Sequence, residues 1–215
     1  MLIDMHNHTR VSSPCSLLSA GELIEAARGR GLDGICVTEH LYIEGANVAQ
    51  EMGRKVGFPV FRGVEARTTM GDMLVFGYYK DISEGISLDE LCWYVHEVGG
   101  LIFVAHPYHT EGGWNLYASM RARGWDLDTD WDKPAVLKEL DGVEIINGQL
   151  RDEKNCQARL LAAKLHLPGI GGSDSHSIKM VGAAATRFEE WIQSEEQLIG
   201  ALKSGRFEAI CVRSR

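Results

Sequence analysis

Short apolar or β-branched runs alternate with longer amphipathic stretches along the chain, and this order limits the folds open to it. Three amphipathic stretches begin at a serine that has Glu or Gln three residues later, namely Ser19, Ser87 and Ser194, and each ends near a glycine. Such a serine is typical of a helix N-terminus, and glycine is typical of a helix C-terminus. The alternation of strand and helix therefore predicts an α/β fold with a mostly parallel sheet.

Nine runs have the composition of strands, and their recurrence fits a barrel. The predicted strands are 2–8, 34–38, 60–65, 74–77, 101–105, 142–147, 169–173, 183–186 and 208–212. At 215 residues and 45% hydrophobic composition, the chain can bury one core but is short for two α/β domains. We therefore predict a single domain, 1–215. Its segment 108–133 follows no lasting period and is predicted as a loop insertion, either an ordered lid or a substrate-binding segment.

Charge and cysteine content exclude several classes of protein. The formal net charge of −8 argues against an extended duplex nucleic acid, because binding of that polyanion depends on clustered Lys and Arg. A small anionic substrate stays compatible, since bound divalent cations reverse the field inside a cleft. The five cysteines are an odd number without a CxxC pair, which argues against a disulfide framework. Without a signal peptide or a membrane-spanning run, we expect a cytoplasmic protein, its oligomeric state left open.

His6 and His8 are two residues apart in a predicted strand, so both imidazoles project from the same face. Two neutral imidazoles on one face are a ready pair of ligands for Zn, Mn or Fe. The alternative is that one is a hydrogen-bonded core histidine and the other is exposed. His96 and His166, which fall on helical stretches, are predicted to be structural.

Histidines and carboxylates recur directly after other predicted strands. The residues concerned are Glu39, His40, Glu65, His106, Asp174 and His176. In a parallel barrel all strand C-termini lie on one face, which is where barrel active sites are found. Independent core residues would not select that face each time, so the sequence predicts a metal site at the C-terminal ends of the strands.

Five segments together resemble the motifs of the polymerase and histidinol phosphatase (PHP) domain family, in the family's order and across most of the chain. They are DMHNHT at 4–9, TEH at 38–40, GVE at 63–65, GLIFVAHP at 100–107 and GSDSH at 172–176. The resemblance implies a distorted seven-stranded (β/α) barrel, TIM-like, that holds two to three divalent metal ions. Zn, Mn and Fe suit such ligands, and Mg is a further possibility.

The resemblance also implies a ligand set. One ion is held by His6, His8, Glu65 and Asp174, and Glu65 bridges to a second ion that also uses His106. A third ion uses His40 and His176.

The sequence departs from the fullest family pattern at two places. Asp72 stands where many relatives have a histidine, and its oxygen favours harder ions. Residues 12–15 lack the acidic or histidine ligand that often follows in relatives, so the third site needs Cys15 or a water.

Four further residues follow strand ends and are predicted to bind substrate: Arg10, Arg67, His109 and Asn147. The arginines suit bidentate recognition of phosphate, although exposed surface charge is the alternative reading for them. Asn147 resembles a family position that faces the same cleft, and a structural capping role is its alternative.

The leading interpretation is a metal-dependent phosphoesterase that uses a metal-activated water on a small phosphorylated substrate, either a nucleotide-like phosphomonoester or a short oligonucleotide end. Glu65 bridges the ions, and His40 or His176 is the candidate acid if the third ion is absent. The alternatives are histidinol-phosphate phosphatase, a metallohydrolase of C–N bonds and a non-catalytic metal-binding PHP module. No GxSxG or Walker motif occurs.

Overall fold

The computed structural model describes residues 1–109, 115–127, 129 and 135–212. Within them the chain alternates nine strands with six α-helices and one 3₁₀ helix, Ala135–Glu139. The strands are β1 Leu2–Asp4, β2 Gly34–His40, β3 Val60–Thr68, β4 Gly71–Phe76, β5 Leu101–Val104, β6 Gly142–Asn147, β7 Gly169–Gly172, β8 Ala184–Phe188 and β9 Phe207–Cys211. The helices are α1 Ala20–Gly29, α2 Glu44–Val56, α3 Leu88–Glu97, α4 Leu116–Ala122, α5 Asp152–Leu165 and α6 Glu195–Ser204. None of these helices is long and apolar enough to cross a membrane.

The three helix starts predicted from serine are present. Ser19 precedes α1 in a complete capping box: its hydroxyl accepts from the Glu22 amide, and the Glu22 carboxylate accepts from the Ser19 amide. Ser87 and Ser194 cap α3 and α6 in the same position. By contrast, α2 and α5 begin after Ile43 and Arg151 without a side-chain cap, so the sequence carried no such signal for them.

The strands form one sheet in the order β7-β6-β5-β4-β3-β2-β1-β8-β9. Neighbours β1, β2 and β3 are parallel, as are β5, β6 and β7, whereas β4 is antiparallel to both β3 and β5. A two-residue turn, Thr69–Met70, joins β3 to β4. The predicted strand 74–77 therefore begins earlier, at Gly71, and the start of β4 lies at the same rim as the end of β3.

Residues that continue β1 and β7 close the sheet into a barrel. The predicted strand 2–8 ends at Asp4, but the His8 amide donates to Ser175 O (3.1 Å) and the Asp174 amide donates to His6 O (2.8 Å). Asn7 and Ser175 form a parallel bridge. The first seven strands thus form the ring of the TIM-like barrel, as expected. Strands β8 and β9, an antiparallel pair joined through α6, extend the sheet beside β1, so the sheet has nine strands in all.

Alternate residues of the barrel strands face its interior. Phe61, Leu74 and Phe103 belong to one buried apolar cluster, and Glu65 lies four residues beyond Phe61 on the same face of β3. A larger apolar cluster packs the other face of the sheet against the helices. The interior cluster fills one end of the barrel and leaves its polar side chains at the other.

Part of the predicted insertion 108–133 is described. It contains α4, whose start is capped by Asn115 accepting from the Ala118 amide (2.9 Å), and Trp125 packs against the core. Trp114 and Trp131 lie outside the described residues. The described part is anchored to the barrel, and a lid role for the segment stays a prediction.

Asp4 connects the two segments that close the barrel. Its buried carboxylate accepts hydrogen bonds from the amides of Ser173 (2.8 Å), Gly182 (3.1 Å) and His6 (3.3 Å). Burial raises the pKa of Asp4 to about 6, although these bonds to the charged form oppose the rise. At neutral pH the group is therefore ionised and accepts from three amides at once.

We expect Asp4→Asn to lower the free energy of unfolding by about 1–3 kcal/mol, because its NH₂ group must face buried amide donors. Urea unfolding of the metal-free protein at pH 7 measures this change. Glu208→Gln, which alters an exposed carboxylate on β9, is the control and should change stability little. Equal stability of the two variants would contradict the assigned role of Asp4.

Candidate metal centre

Eight side chains converge at one rim of the barrel. Six lie at or just beyond the C-terminal ends of strands, Glu65 lies near the end of β3, and Asp72 lies at the start of the antiparallel β4. Their donor atoms form four overlapping groups, with all atoms of a group within 4.8 Å of one another. The groups are His8–His40–His176, His6–His106–Asp174, His6–His8–Glu65 and Glu65–Asp72–His106. The sequence-predicted ligands are thus brought together, whereas Cys15 belongs to none of these groups.

The carboxylate of Glu65 lies at the middle of the cluster. Its Oε1 is 2.8 Å from His106 Nε2. Its Oε2 is 3.0 Å from His40 Nδ1, 3.2 Å from His8 Nε2 and 3.4 Å from His6 Nε2. Each oxygen therefore faces a different set of imidazoles, which is the arrangement of a carboxylate able to bridge two cations.

Hydrogen bonds fix which nitrogens of the first two histidines carry a proton. His6 Nδ1 lies 2.9 Å from a Glu144 oxygen, which accepts, so the proton is on Nδ1. His8 Nδ1 lies 3.2 Å from Ser13 Oγ, whose own proton goes to Glu39. In their neutral forms both rings therefore present a bare Nε2, and these two nitrogens are 3.0 Å apart.

Bare nitrogens and carboxylate oxygens thus point at one another. Asp174 Oδ1 adds a further acceptor, 3.3 Å from His8 Nε2 and 3.6 Å from His6 Nε2. The buried Glu65 Oε2 has no hydrogen-bond donor among the described residues. Such a set of acceptors is stable only with extra protons or a cation between them, and its mixed N and O donors fit Zn, Mn or Fe.

Without a cation, charges within the cluster compensate one another through protons. Burial disfavours charge on His6, yet the carboxylates of Asp174, Glu144 and Glu65 raise the pKa of His6 well above its usual value. Burial likewise opposes charge on His106, but its hydrogen bond to Glu65 raises the pKa of His106 to about 9. Despite burial, the surrounding histidines lower the pKa of both Glu65 and Asp174.

Glu144 supports two candidate ligands and was missed by the sequence reasoning. Its Oε1 accepts from His6 Nδ1, and its Oε2 accepts from the His106 amide (2.8 Å). The buried Asn147 donates to Glu144 (3.0 Å) and to Asp174 (3.2 Å). Asn147 therefore orients carboxylates and does not line the cleft. The available signal for Glu144 was a lone carboxylate inside an apolar strand, 142–147.

Glu39 anchors the loop that supports His8 and His40. Its carboxylate accepts from the Thr9 amide (3.1 Å) and from the hydroxyls of Thr9 and Ser13. Ser13 Oγ in turn accepts from the His40 amide (3.1 Å). A Cβ at Gly45 would collide with this carboxylate, so the close packing requires glycine there.

Two candidate ligands have backbone conformations that L-residues rarely adopt. The φ angle is 25° at His106 and 53° at Asp174. Such conformations cost about 1–3 kcal/mol each and cluster at functional sites. The Glu144 carboxylate and His6 O accept from the amides of these two residues and hold them in place.

The cluster opens into a cleft of about 1120 Å³. Arg67 and His109 line it, and a substrate-binding role for the two residues stays a prediction. Arg10 does not: its guanidinium lies 3.4 Å from Leu17 O and 3.8 Å from Glu22, on an exposed surface. The wall is also lined by Gln149, Arg151 and Lys154, near the start of α5, and no sequence motif marks these three residues.

The fold and the cluster define a TIM-like barrel protein with a candidate multinuclear metal centre at the rim of its strands. The chain belongs to the PHP domain family. The model of that family matches residues 4–139, and a model described as PHP-associated matches residues 152–207, which contain Asp174 and His176. Both matched parts thus contribute to one centre.

The chain is similar to two uncharacterised proteins of Methanocaldococcus jannaschii. One is 28% identical over 161 residues, which cover 71% of this chain and 85% of that protein. The other is 28% identical over 191 residues, which cover 88% of this chain and 71% of that protein.

Similar folds occur in solved structures at low sequence identity. A two-domain protein of Bacteroides vulgatus, described as containing a PHP-like metal-dependent phosphoesterase, has a TM-score of 0.72 and 19% identity; the match covers 98% of this chain but only 64% of that protein. An amidohydrolase of Chromobacterium violaceum has a TM-score of 0.66 and 16% identity, with 98% of each chain covered. PsfC of Pseudomonas syringae has the same TM-score at 18% identity, covering 98% of this chain and 91% of PsfC. These likenesses show the fold.

We expect metal affinity to rise with pH up to about 9, where His106 loses its proton. A ligand histidine must be neutral, so each proton displaced adds about tenfold in affinity per pH unit below its pKa. Competition with a chromophoric chelator from pH 6.5 to 9 measures the slope. His106→Gln should reduce the slope, and His96→Gln, outside the cluster, should not. A metal affinity that is independent of pH would contradict the displacement of protons from the ligand histidines.

Proposed function

We propose that this protein is a metal-dependent phosphoesterase that hydrolyses a small phosphorylated substrate. Family membership and the convergent His and carboxylate cluster support a metal-dependent hydrolase. The bridging position of Glu65, between imidazoles on both sides, is the single observation that carries the proposal. The more specific claim, that the substrate is phosphorylated, rests on the properties of the cleft above the cluster.

The eight side chains of the cluster would hold two or three divalent ions. When bound, such ions lower the pKa of a water toward neutrality and neutralise charge on a phosphoryl group. The chain's own contribution is to keep His6 and His8 in the tautomer with bare Nε2 atoms, through Glu144 and Ser13. Glu65 and Asp174 stay ionised among the histidines and add the negative charge that a dication requires.

The cleft supplies cations for an anionic substrate. Arg67 lines one wall, where Glu84 holds its guanidinium at 3.1 Å, and Arg151 and Lys154 line the wall at the start of α5. Arg recognises phosphate through two parallel hydrogen bonds. A cavity of about 1120 Å³ has room for a ligand larger than inorganic phosphate, which favours a nucleotide-like monoester.

His40 and His176 are assigned here as ligands rather than as the acid. Their rings lie 4.4 Å and 4.5 Å from the ring of His8, centroid to centroid, and all three belong to one candidate ion site. His109 lines the same cleft, 5.3 Å from the ring of His106, and belongs to none of the four groups. We assign to His109 the proton that the leaving alcohol takes up.

The other readings predict different substrates. A histidinol-phosphate phosphatase would strongly prefer that ester, a C–N metallohydrolase would cleave amides or cyclic ureas, and a binding module would cleave none of these. A panel of phosphomonoesters, short oligonucleotides, histidinol phosphate and amides, each with Mn, Mg and Zn, separates the four. Phosphomonoester cleavage above the rates for amides is the expected result.

We expect Glu65→Gln and Asp174→Asn to lower divalent-dependent phosphatase activity by at least about 100-fold, since even removal of a ligand's supporting partner costs 10–100-fold. The activity and the bound metal are measured on the same samples. Glu208→Gln and Asp89→Asn are matched controls on exposed carboxylates. Full activity in either cluster variant would refute the assigned roles.

We expect His109→Gln to lower kcat by about 100-fold for an alkyl phosphate such as glycerol phosphate, because an alcohol leaving group needs a proton. The loss should be only a few-fold for p-nitrophenyl phosphate, whose leaving group departs as an anion. His96→Gln is the control for loss of a histidine elsewhere. An equal loss on both substrates would assign His109 to binding instead.

A further inference from the structure

The two ends of the cluster differ in their donor atoms. One end, here called the oxygen-rich end, consists of Glu65, Asp72 and His106, which offer two carboxylates and one imidazole. The other, the imidazole end, consists of His8, His40 and His176, whose own donor atoms are all nitrogen. Carboxylate oxygens suit Mn²⁺ and Mg²⁺, whereas imidazoles suit Zn²⁺.

We propose that the centre is chemically asymmetric, so that Mn²⁺ competes with Zn²⁺ far better at the oxygen-rich end than at the imidazole end. The inference rests on the metal-binding part of the proposed function and not on the reaction. Zn²⁺ binds more tightly than Mn²⁺ to most sites, so the claim concerns the ratio of the two affinities at each end.

Glu65 separates the two ends. Its Oε1 faces His106 at 2.8 Å, and its Oε2 faces His40 at 3.0 Å and His8 at 3.2 Å. Because one oxygen points to each end, an ion at either end shares this carboxylate. The carboxylate of Asp72 then gives the oxygen-rich end one more negative charge, which a hard dication requires.

Asp72 is also placed to leave room for water on the ion. Its side chain is 16% exposed and lines the cleft, and its ion-pair partner is Arg67, whose Nε lies 3.7 Å from Oδ1. Arg67 has a second partner in Glu84 at 3.1 Å. The guanidinium can therefore remain on Glu84 while Asp72 turns to an ion, and hard ions keep several water ligands.

The test uses the full chain freed of metal by a chelator. Mn²⁺ binding is followed by the electron paramagnetic resonance signal of the free ion, and Zn²⁺ is followed by elemental analysis and by competition against Mn²⁺. Asp72→Asn and Asp72→His alter the oxygen-rich end, and His176→Gln alters the imidazole end. Glu153→Gln removes an exposed carboxylate from the α5 wall of the same cleft and is the matched control. Circular dichroism checks that each variant is folded.

We expect Asp72→Asn to weaken Mn²⁺ binding at least about tenfold. Asp72→His should lower the ratio of Mn²⁺ to Zn²⁺ affinity by a similar factor while Zn²⁺ binding persists. Damage to the site as a whole would weaken the binding of both ions instead. His176→Gln should reduce the amount of Zn²⁺ bound and leave Mn²⁺ affinity within about twofold. Glu153→Gln should alter the affinity for neither ion.

Three results would overturn the inference: wild-type protein that binds no Mn²⁺, an unchanged affinity ratio in Asp72→His, or equal effects of the Asp72 and His176 substitutions on both ions. If Asp72→Asn fails to fold, Asp72→His decides the question. A protein that distributes the ions as expected but cleaves no phosphoester would refute the proposed function and leave this inference standing. Phosphatase activity without the asymmetry would refute this inference and leave the proposed function standing.

Discussion

The Glu65 carboxylate faces four imidazoles, and the arrangement of the rim depends on how the negative charge of this carboxylate is balanced. Two of the rings are held by residues outside the cluster, His6 by Glu144 and His8 by Ser13, and Glu144 also accepts from the His106 amide. These bonds restrict rotation of the His6 and His8 rings, which would otherwise relieve repulsion between acceptors. The acceptor atoms around Glu65 are therefore held close together, and protons or metal ions must balance their negative charge.

Much of the fold could be predicted from sequence because its signals are local. Serine caps and apolar runs marked α1, α3, α6 and most strands, since capping and alternation act within a few residues. The direction of β4 could not be predicted, because the turn at Thr69–Met70 carries no strong turn sequence and the pairing is decided by neighbours. The end of β1 at Asp4 likewise depends on residues after position 170.

The cluster was predictable to the extent that its ligands follow strands and resemble family motifs. The residues that position those ligands were not, because Glu144 and Glu39 contact partners that lie 138 and 30 residues away in the sequence, and no spacing rule relates them. The position of Arg10 differs from the prediction for a related reason. The chain turns after Thr9, so the Arg10 side chain points to α1 and not into the cleft. Position after a strand selects a rim, but loop conformation selects the direction of each side chain.

The closing contacts between Met5–His8 and the residues after β7 have a consequence for biosynthesis. The histidine pair leaves the ribosome before its partners Asp174 and Ser175, which are made about 170 residues later. Because the two segments are far apart in sequence, we expect this pairing to form late in folding. Until the barrel closes, the candidate ligands His6 and His8 lack the carboxylate of Asp174, so the full set of candidate ligands comes together only in the closed barrel.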